Sequence, residues 1–170
     1  MKPVVIMGTG PVASLAHYYL THDPDHEVAG FVIDRQQGQP GSRSGLPVVA
    51  KDAVVSRFPP DACDMFVAVG TGRSARVRAA RYRDARSWGY ALISYISSSA
   101  VVAPGVPIGD NCFILEHTVV EPFSAIGNDV IIWGGCQVGH DSVVGDHSFL
   151  GAHALLAGTN RVESGCVIGE

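Results

Sequence analysis

In the second half of the chain, one histidine is followed directly by an acid: His140 precedes Asp141. An imidazole is the side chain best suited to accept and return a proton near neutral pH. A neighbouring carboxylate can hold the ring in one tautomer and stabilise its protonated form. The pair therefore indicates general acid–base chemistry, with an unreactive surface histidine as the alternative. Three histidines of the first half lie near a predicted helix and turn and are interpreted as solvated: His17, His22 and His26.

A glycine-rich turn near residue 8 has the composition of a phosphate-binding loop. Residues 3–7 are predicted to form a buried strand, and Gly8-Thr9-Gly10 then leads into a predicted helix. Backbone N–H groups at the start of a helix, together with the helix dipole, favour a bound phosphate. Gly8 and Gly10 are therefore candidate ligand-binding residues, and a purely structural glycine turn is the alternative.

A carboxylate and two arginines extend this candidate site. A second predicted strand, residues 28–33, ends at Asp34-Arg35, where a dinucleotide-binding fold places its ribose-binding acid. Arg73, beside a second glycine turn that begins at Gly70, is either a diphosphate ligand or the first turn of a solvated basic helix. Fewer than 95 residues precede the repetitive second half, whereas a complete dinucleotide fold needs two such halves. The pattern favours a mononucleotide or nucleotide sugar over a nicotinamide cofactor.

The elements that position these residues form a predicted βαβ unit. Strand, glycine turn, helix and strand follow in that order, which is typical of a parallel sheet. The first helix is predicted to have an apolar-periodic face, and a Gly-, Ser- and Gln-rich segment after the second strand is predicted to be a mobile loop. The residues concerned are Leu15, Tyr18 and Tyr19 in the helix, 36–46 in the loop, 65–69 in a further strand, 73–88 in a basic helix and 90–93 in a last strand.

Aliphatic residues recur at strict six-residue intervals through the second half of the chain. Small residues lie two positions before most of them, and glycine often follows them directly. An inward aliphatic, a small inward neighbour and a turn-permitting glycine describe one short strand and one corner, and stacked units of this kind form a parallel β-helix. A coiled coil needs a period of seven and a sandwich needs turns every 8–12 residues, so neither fits. The thirteen aliphatic residues are Ile96, Val102, Ile108, Ile114, Val120, Ile126, Ile132, Val138, Val144, Leu150, Leu156, Val162 and Ile168.

The repeat also places the histidines of the second half. His140 follows the inward Val138 by two residues, so it lies at a corner and points outward. His117 and His153 are separated by a whole number of hexads and so occupy equivalent positions in the repeat. Because single histidines at this spacing have no cluster of Cys or Glu nearby, no metal site is predicted.

Whole-chain composition restricts the partners. The chain has 170 residues, a formal charge of −4 and 16% charged residues, and this mild acidity argues against nucleic acid or an anionic membrane as the main partner. No run of 18 apolar residues occurs, so no membrane span is predicted. The four cysteines form no C-x-x-C pair, and three of them occupy small inward positions of the repeat. Reduced thiols and the lack of a cleavable leader predict a cytoplasmic protein.

The six-residue period and its glycines, over residues 95–170, resemble those of the hexapeptide-repeat acyltransferases. That resemblance implies a left-handed parallel β-helix in which three hexads close one triangular coil. An α/β Rossmann-like front followed by such a β-helix is similar to the nucleotide-sugar acyltransferases of the sialic-acid O-acetyltransferase-like and bacillosamine-pathway N-acetyltransferase-like type. Two segments depart from the family pattern, since Pro11-Val12 stands where Gly-His is common and Ser97-Ser98-Ser99 where His-Pro-Ser is usual.

The resemblance implies a Rossmann-like nucleotide-sugar-binding domain over residues 1–93 and a β-helical acyltransferase domain over residues 94–170. It implies transfer of an acetyl group from acetyl-CoA to an amino or hydroxyl group of a nucleotide-linked sugar, in a cleft between subunits of a homotrimer. His140 is then the general base and Asp141 its partner. Gly158, one coil above His140, either donates its N–H to the thioester carbonyl or is a plain tight turn. The expected substrate-binding residues are Gly8, Gly10, Asp34, Arg35, Gly70 and Arg73.

Two other functions are compatible with the same sequence. One is a non-catalytic hexapeptide-repeat scaffold or nucleotide-sugar-binding protein, since the sequence stops in mid-repeat where relatives add further coils, and we expect it to be cut off before a C-terminal cap. The other is a nicotinamide oxidoreductase, which the small front domain disfavours. Whether nitrogen or oxygen is acylated, and which sugar accepts the group, stays open at this point.

Overall fold

The computed structural model describes residues 2–34, 40–70 and 75–169. The chain divides into two compact units, and one division falls between residues 93 and 94. Residues 75–79, in the first turns of a helix, group with the second unit, although they precede that division. Within the three described ranges, none of the helices has the length and apolar character needed to cross a bilayer.

The first unit is built on a five-stranded sheet with the strand order β3-β4-β2-β1-β5. Strand β1 lies between β2 and β5 and pairs in parallel with both, which confirms the predicted βαβ order. Strand β3 runs antiparallel to β4. The elements up to residue 93 are β1 (Val4–Met7), α1 (Pro11–His22), β2 (Val28–Ile33), β3 (Gly41–Arg43), β4 (Leu46–Ala50), a 3₁₀ turn (Lys51–Ala53), α2 (Val54–Arg57), β5 (Asp64–Val67) and α3 (Ala75–Ser87).

Helix α1 packs through small side chains. Its buried residues are Ala13, Ala16 and Leu20, whereas Leu15 and Tyr18 are 37% and 58% exposed. The apolar face suggested by the sequence is therefore turned away from the core. The physical reason is that alanines allow a helix to lie close to its sheet, while the larger tyrosine ring is accommodated on the outer surface.

Part of the segment predicted to be a mobile loop is a β-hairpin. Strand β3 pairs with β4, and the two-residue turn between them has positive φ at Ser44 (51°) and Gly45 (77°). Such a turn matches the twist of an antiparallel pair, so the loop prediction was wrong for these residues. Residues 36–39 of the same prediction lie outside the described residues. The predicted last strand, residues 90–93, contributes an isolated bridge to β5.

The second unit is a three-sided parallel β-helix made of two-residue strands. Its sheets have the orders β6-β8-β11-β14-β17, β7-β9-β12-β15 and β10-β13-β16. Partners such as Phe113 and Ile131 lie three hexads apart in the sequence, so three hexads close one coil. The strands are β6 (Tyr95–Ile96), β7 (Val101–Val102), β8 (Phe113–Ile114), β9 (Val119–Val120), β10 (Ala125–Ile126), β11 (Ile131–Ile132), β12 (Gln137–Val138), β13 (Val143–Val144), β14 (Phe149–Leu150), β15 (Leu155–Leu156), β16 (Arg161–Val162) and β17 (Val167–Ile168). The parallel pairing and the six-residue period together indicate a left-handed β-helix.

The six-residue aliphatic series fills the interior of this β-helix. Its members from Ile114 to Leu150 are buried, and Ile96 in the first coil is 40% exposed. Hydroxyl groups at the small inward positions donate to backbone carbonyl oxygens 15 residues ahead, from Ser94 to Gly109, Thr118 to Trp133, Ser124 to Gly139, Ser142 to Ala157 and Ser148 to Glu163. These hydrogen bonds satisfy polar groups that would otherwise be buried without a partner, so small polar residues are tolerated inside.

Candidate active site

His140 and Asp141 form an exposed pair at one corner of the β-helix. The chain leaves β12 at the buried Val138, and Asp141 takes a left-handed conformation with φ 55°, which aspartate tolerates better than most residues. The imidazole Nδ1 lies 2.8 Å from Oδ2 of Asp141, and the two side chains are 59% and 52% exposed. The two predicted catalytic residues are thus in contact at a position that an external molecule can reach.

The contact with Asp141 decides which nitrogen of the imidazole is available. Nδ1 carries a hydrogen and donates it to the ionised carboxylate at 2.8 Å. Nε2 then keeps its lone pair and can accept a proton from an external group. The carboxylate also stabilises the imidazolium that forms when the proton is taken. This arrangement can act as a general base.

Gly158 faces this imidazole from the next coil. A Cβ added to Gly158 would lie 2.5 Å from Nε2 and 2.9 Å from Cδ2 of His140, so any side chain there would require the imidazole to move. The following residue, Thr159, donates its N–H to the carbonyl oxygen of His140 at 2.8 Å. The structure therefore stacks Gly158 over His140, whereas the contact of Gly158 with a thioester stays a prediction.

An acid that was not predicted lies one coil below His140. Glu121 accepts the backbone N–H of His140 at its Oε2 and the side-chain amide of Gln137 at its Oε1, both at 2.8 Å. The hydrogen bond from Gln137, followed by that from His140, lowers the pKa of the Glu121 carboxyl from its ordinary value. Glu121 precedes His140 by 19 residues, one more than a coil, and this spacing is the signal that could have found it.

A second histidine–aspartate pair, at another corner, has a buried carboxylate and a partly exposed imidazole. Nδ1 of His147 lies 2.8 Å from Oδ2 of Asp129, the same distance as in the exposed pair. Asp129 is fully buried, and its carboxylate also accepts from Arg78 Nε at 3.1 Å and from Asn111 Nδ2 at 2.8 Å. Because this carboxylate is neutralised by a guanidinium and inaccessible, we interpret the second pair as part of the fold.

Arg78 reaches the carboxylate of Asp129 from the first turns of α3, within the second unit. Its side chain is fully buried, and Nη2 donates to the carbonyl oxygens of Asp129, His147 and Ser148 at 2.6–3.0 Å. A guanidinium presents its donors in a fixed planar fork, which suits a cluster of carbonyl and carboxylate oxygens. Arg78 was not predicted, because its partners lie 51 to 70 residues away in the sequence.

In the first unit, Gly8 and Asp34 line one small cavity together with Lys51 and Arg81. This cavity lies at the carboxyl ends of β1 and β2, the edge at which parallel sheets bind ligands. Gly8 has φ 128°, and a Cβ on it would lie 2.6 Å from the carbonyl oxygen of Ala68. Only glycine allows the turn to pass this close to its neighbour. Two predicted substrate-binding residues therefore meet at one site.

The charges in this cavity were only partly predicted. Oδ2 of Asp34 accepts a hydrogen bond from Nη2 of Arg81 at 2.6 Å. Nζ of Lys51 lies 3.8 Å from the same oxygen. Neither cation was predicted, because both lie in elements well beyond the second strand. Both cations also contact the carboxylate of Asp84, Arg81 at 2.9 Å and Lys51 at 4.0 Å, so the two positive charges are balanced by two negative ones.

Two of the four remaining predicted substrate-binding residues, Gly10 and Gly70, are among the residues that the structure describes. Gly10 is the N-cap residue of α1, as expected for a turn that leads into a helix. Gly70 lies beside the start of the same helix, since a Cβ on it would be 3.2 Å from Cγ2 of Val12. Arg35 and Arg73 lie outside the described residues.

The buried thiols of Cys112 and Cys136 are unreactive at neutral pH. Burial raises the pKa of Cys112 to about 11 and also raises the pKa of Cys136. Both thiols therefore stay protonated at neutral pH and are poor nucleophiles. In the part of the chain that the structure describes, no group of three or more His, Cys, Asp or Glu residues could hold a metal ion.

The repeat itself matches a known family. Residues 123–158 fit the bacterial transferase hexapeptide family, a model of six repeats. This segment consists of hexapeptide repeats. The matched segment contains His140, Asp141 and Gly158, so the exposed corner lies within the hexapeptide repeats.

Solved structures resemble this chain over nearly its whole length. The acetyltransferase domain of PglB from Neisseria gonorrhoeae has a TM-score of 0.79 at 23% identity, covering 98% of this chain and 88% of that one. A mutant of GDP-perosamine N-acetyl transferase from Caulobacter crescentus, in complex with CoA and GDP-perosamine, has a TM-score of 0.77 at 26% identity, covering 100% and 89%. WeeI from Acinetobacter baumannii has a TM-score of 0.78 at 18% identity, covering 96% and 76%.

Proposed function

We propose that this protein is an acetyl-CoA-dependent acetyltransferase that acts on an amino or hydroxyl group of a nucleotide-linked sugar. The observation that carries the proposal is the exposed His140–Asp141 pair, whose Nε2 faces Gly158 on the next coil. The similar GDP-perosamine N-acetyl transferase binds CoA and a nucleotide sugar, and the form solved has one histidine replaced by alanine. These properties of a structural neighbour support a sugar acetyltransferase.

In the proposed reaction, Nε2 of His140 removes the proton from the attacking amine or hydroxyl as the new N–C or O–C bond forms. The tetrahedral intermediate carries an oxyanion, to which the backbone N–H of Gly158 donates. The C–S bond then breaks, and the proton passes from His140 to the departing CoA thiolate. Asp141 stabilises the imidazolium that exists between the two proton transfers.

The first unit supplies the nucleotide-sugar site in this proposal, as a Rossmann-like domain that precedes the catalytic β-helix. The cavity at the carboxyl ends of β1 and β2 supports this assignment, because it combines a glycine turn with a carboxylate at the end of the second strand. The backbone N–H groups of the glycine turn bind the diphosphate, and Asp34, whose carboxylate is held by Arg81, is the candidate ribose ligand. The full proposed set is Gly8, Gly10, Asp34, Arg35, Gly70 and Arg73.

We propose that the enzyme is located in the cytoplasm, where acetyl-CoA and nucleotide sugars are available. We also propose that it forms a homotrimer. The outer face of the sheet β7-β9-β12-β15 supports lateral packing, since Val101 and Leu155 are 62% and 66% exposed on it. Burying such apolar side chains against another copy is favourable. The sheet that carries them also ends at the corner with His140, so a neighbouring copy would flank the proposed active site.

Release of free thiol from acetyl-CoA tests the proposed function. The protein is incubated with acetyl-CoA and, one at a time, with UDP-, dTDP- and GDP-linked amino sugars and neutral sugars, against a reaction without acceptor. We expect thiol release that depends on one class of acceptor, and the class distinguishes N- from O-acetylation. A folded protein that binds a nucleotide sugar but releases no thiol with any acceptor would instead be a non-catalytic binding protein or scaffold.

Replacing Gly158 by alanine is expected to lower kcat about 10- to 100-fold, because a Cβ 2.5 Å from Nε2 forces the imidazole out of its position. The measurement is acceptor-dependent thiol release, with the melting temperature followed by circular dichroism. Gly134→Ala is the matched control, since its Cβ would meet the carbonyl oxygen of Glu116 at 3.1 Å. Equal rates in the two variants would show that the space beside Nε2 does not matter for the reaction.

A further inference from the structure

The corner formed by Asp110, Asn128 and Asp146 shows how this β-helix satisfies a corner N–H. The N–H of Asp110 donates to Oδ1 of Asn128 at 3.0 Å, and the N–H of Asn128 donates to Oδ1 of Asp146 at 2.7 Å. Each acceptor lies 18 residues ahead, at the equivalent position of the next coil. At this corner, a side chain from the coil above therefore holds the backbone of the coil below.

The backbone N–H of His140 cannot be bound by a side chain from the coil above. Its equivalent residue on the coil above is Gly158, which has no side chain, and any Cβ there would lie 2.5 Å from Nε2 of His140. The acceptor comes from the coil below instead, where Oε2 of Glu121 takes the N–H of His140 at 2.8 Å. Gly158 leaves room for the imidazole, and Glu121 supplies the hydrogen bond that a side chain above would have made.

We propose that Glu121 is a positioning residue for His140, whose carboxylate fixes the corner backbone from which the imidazole projects. The carboxylate is held in turn by the side chain of Gln137, the first residue of β12, at 2.8 Å. One acidic side chain thereby connects the strand that enters the corner to the residue at its tip. Hydrogen bonds to an ionised acceptor are stronger than neutral ones, which suits a contact at the protein surface.

The expected consequence is a loss of catalytic geometry without a loss of fold. A general base has to lie within hydrogen-bond reach of the proton that it removes, and a displacement of about 1 Å can cost about 10²-fold in rate. Releasing the N–H of His140 frees the corner, while the inward residues Val138 and Val144 keep their buried positions. This catalytic consequence rests on the proposed function, whereas the backbone contact does not.

Two substitutions at Glu121 separate the effect of its hydrogen-bond acceptor from the effect of its negative charge. Glu121→Ala removes the acceptor, and Glu121→Gln keeps a carbonyl oxygen that can take the N–H of His140 while removing the charge. Glu163→Ala is the matched control, because it deletes an exposed acid of the same unit that pairs with Arg161 at 3.1 Å. Amide hydrogen exchange at His140 is measured by NMR for each variant, together with kcat and the KM for acetyl-CoA.

In Glu121→Ala we expect exchange at the His140 amide to accelerate at least about tenfold and kcat to fall about 10- to 100-fold, with KM within about twofold. Glu121→Gln and Glu163→Ala are expected to stay within about threefold of the original protein in both measurements. Unchanged exchange in Glu121→Ala would overturn the positioning role whatever the activity, and equal losses in the Gln and Ala variants would overturn the role of the acceptor. If the unaltered protein releases no thiol, the proposed function fails, and the exchange data still decide whether Glu121 holds the corner.

Discussion

Replacement of His140 by alanine is expected to lower kcat for acetyl transfer about 10²- to 10⁴-fold, the range in which a positioned general base contributes. The reason is geometric, because His140 presents a free Nε2 while its Nδ1 is held by Asp141 at 2.8 Å. Since the imidazole is more than half exposed, its removal leaves no buried cavity, and we expect little change in the free energy of unfolding. Acceptor-dependent thiol release measures the effect.

The control for this substitution is His117→Asn. His117 is an exposed histidine at another corner of the same β-helix, with φ 59°, and asparagine tolerates that conformation. We expect the His117 variant to keep its full rate. If His140→Ala also kept its full rate, His140 would not be the base, and the proposed mechanism would have to be abandoned.

The second large effect is on stability, and it concerns Arg78. Arg78→Met is expected to lower the free energy of unfolding of the second unit by about 3–5 kcal/mol, because it leaves the buried carboxylate of Asp129 without its cation. It also removes the donor to three backbone carbonyl oxygens. Denaturant unfolding followed by circular dichroism measures the change.

Two further variants identify the cause of the Arg78 effect. Arg161→Met removes an arginine from a largely exposed pair with Glu163, and such pairs contribute about 0–1 kcal/mol. Asp129→Asn combined with Arg78→Met removes both charges, while the one amide oxygen can still accept from Asn111, which donates to Oδ1 of Asp129 in the original protein. We expect the double variant to recover part of the lost stability. If the double variant lost as much free energy of unfolding as Arg78→Met and Asp129→Asn together, an uncompensated buried charge would not be the cause.

The two histidine–aspartate pairs show why this chemistry cannot be judged from the contact alone. In both pairs Nδ1 lies 2.8 Å from a carboxylate oxygen. Asp141 is half exposed, whereas Asp129 is fully buried and paired with Arg78. The imidazole is 59% exposed at the first corner and 19% exposed at the second, and the second carboxylate is already paired with a guanidinium, which supports His140 rather than His147 as the reactive histidine.

The sequence by itself determined the β-helix and the direction of His140. Each hexad encodes its own strand and corner through a local pattern of inward aliphatic and small residues, so the architecture could be predicted without long-range information. His140 points outward because it follows the inward Val138 by two residues. The resemblance to hexapeptide-repeat acyltransferases implied three hexads per coil and so placed Gly158 on the next coil, and the pairing of Gln137 with Leu155 shows that spacing. Strand β2 was likewise predicted over its whole length, from Val28 to Ile33.

Only the tertiary structure decided what surrounds these residues. The hairpin β3–β4 depends on a pairing partner rather than on composition, and the exposed face of α1 depends on how closely alanines let it pack. Glu121 reaches His140 from the preceding coil, and Arg78 reaches Asp129 from 51 residues away. The physical reason is that burial, charge pairing and hydrogen-bond partners are set by contacts between distant segments, whereas a short repeat carries its periodicity within each unit.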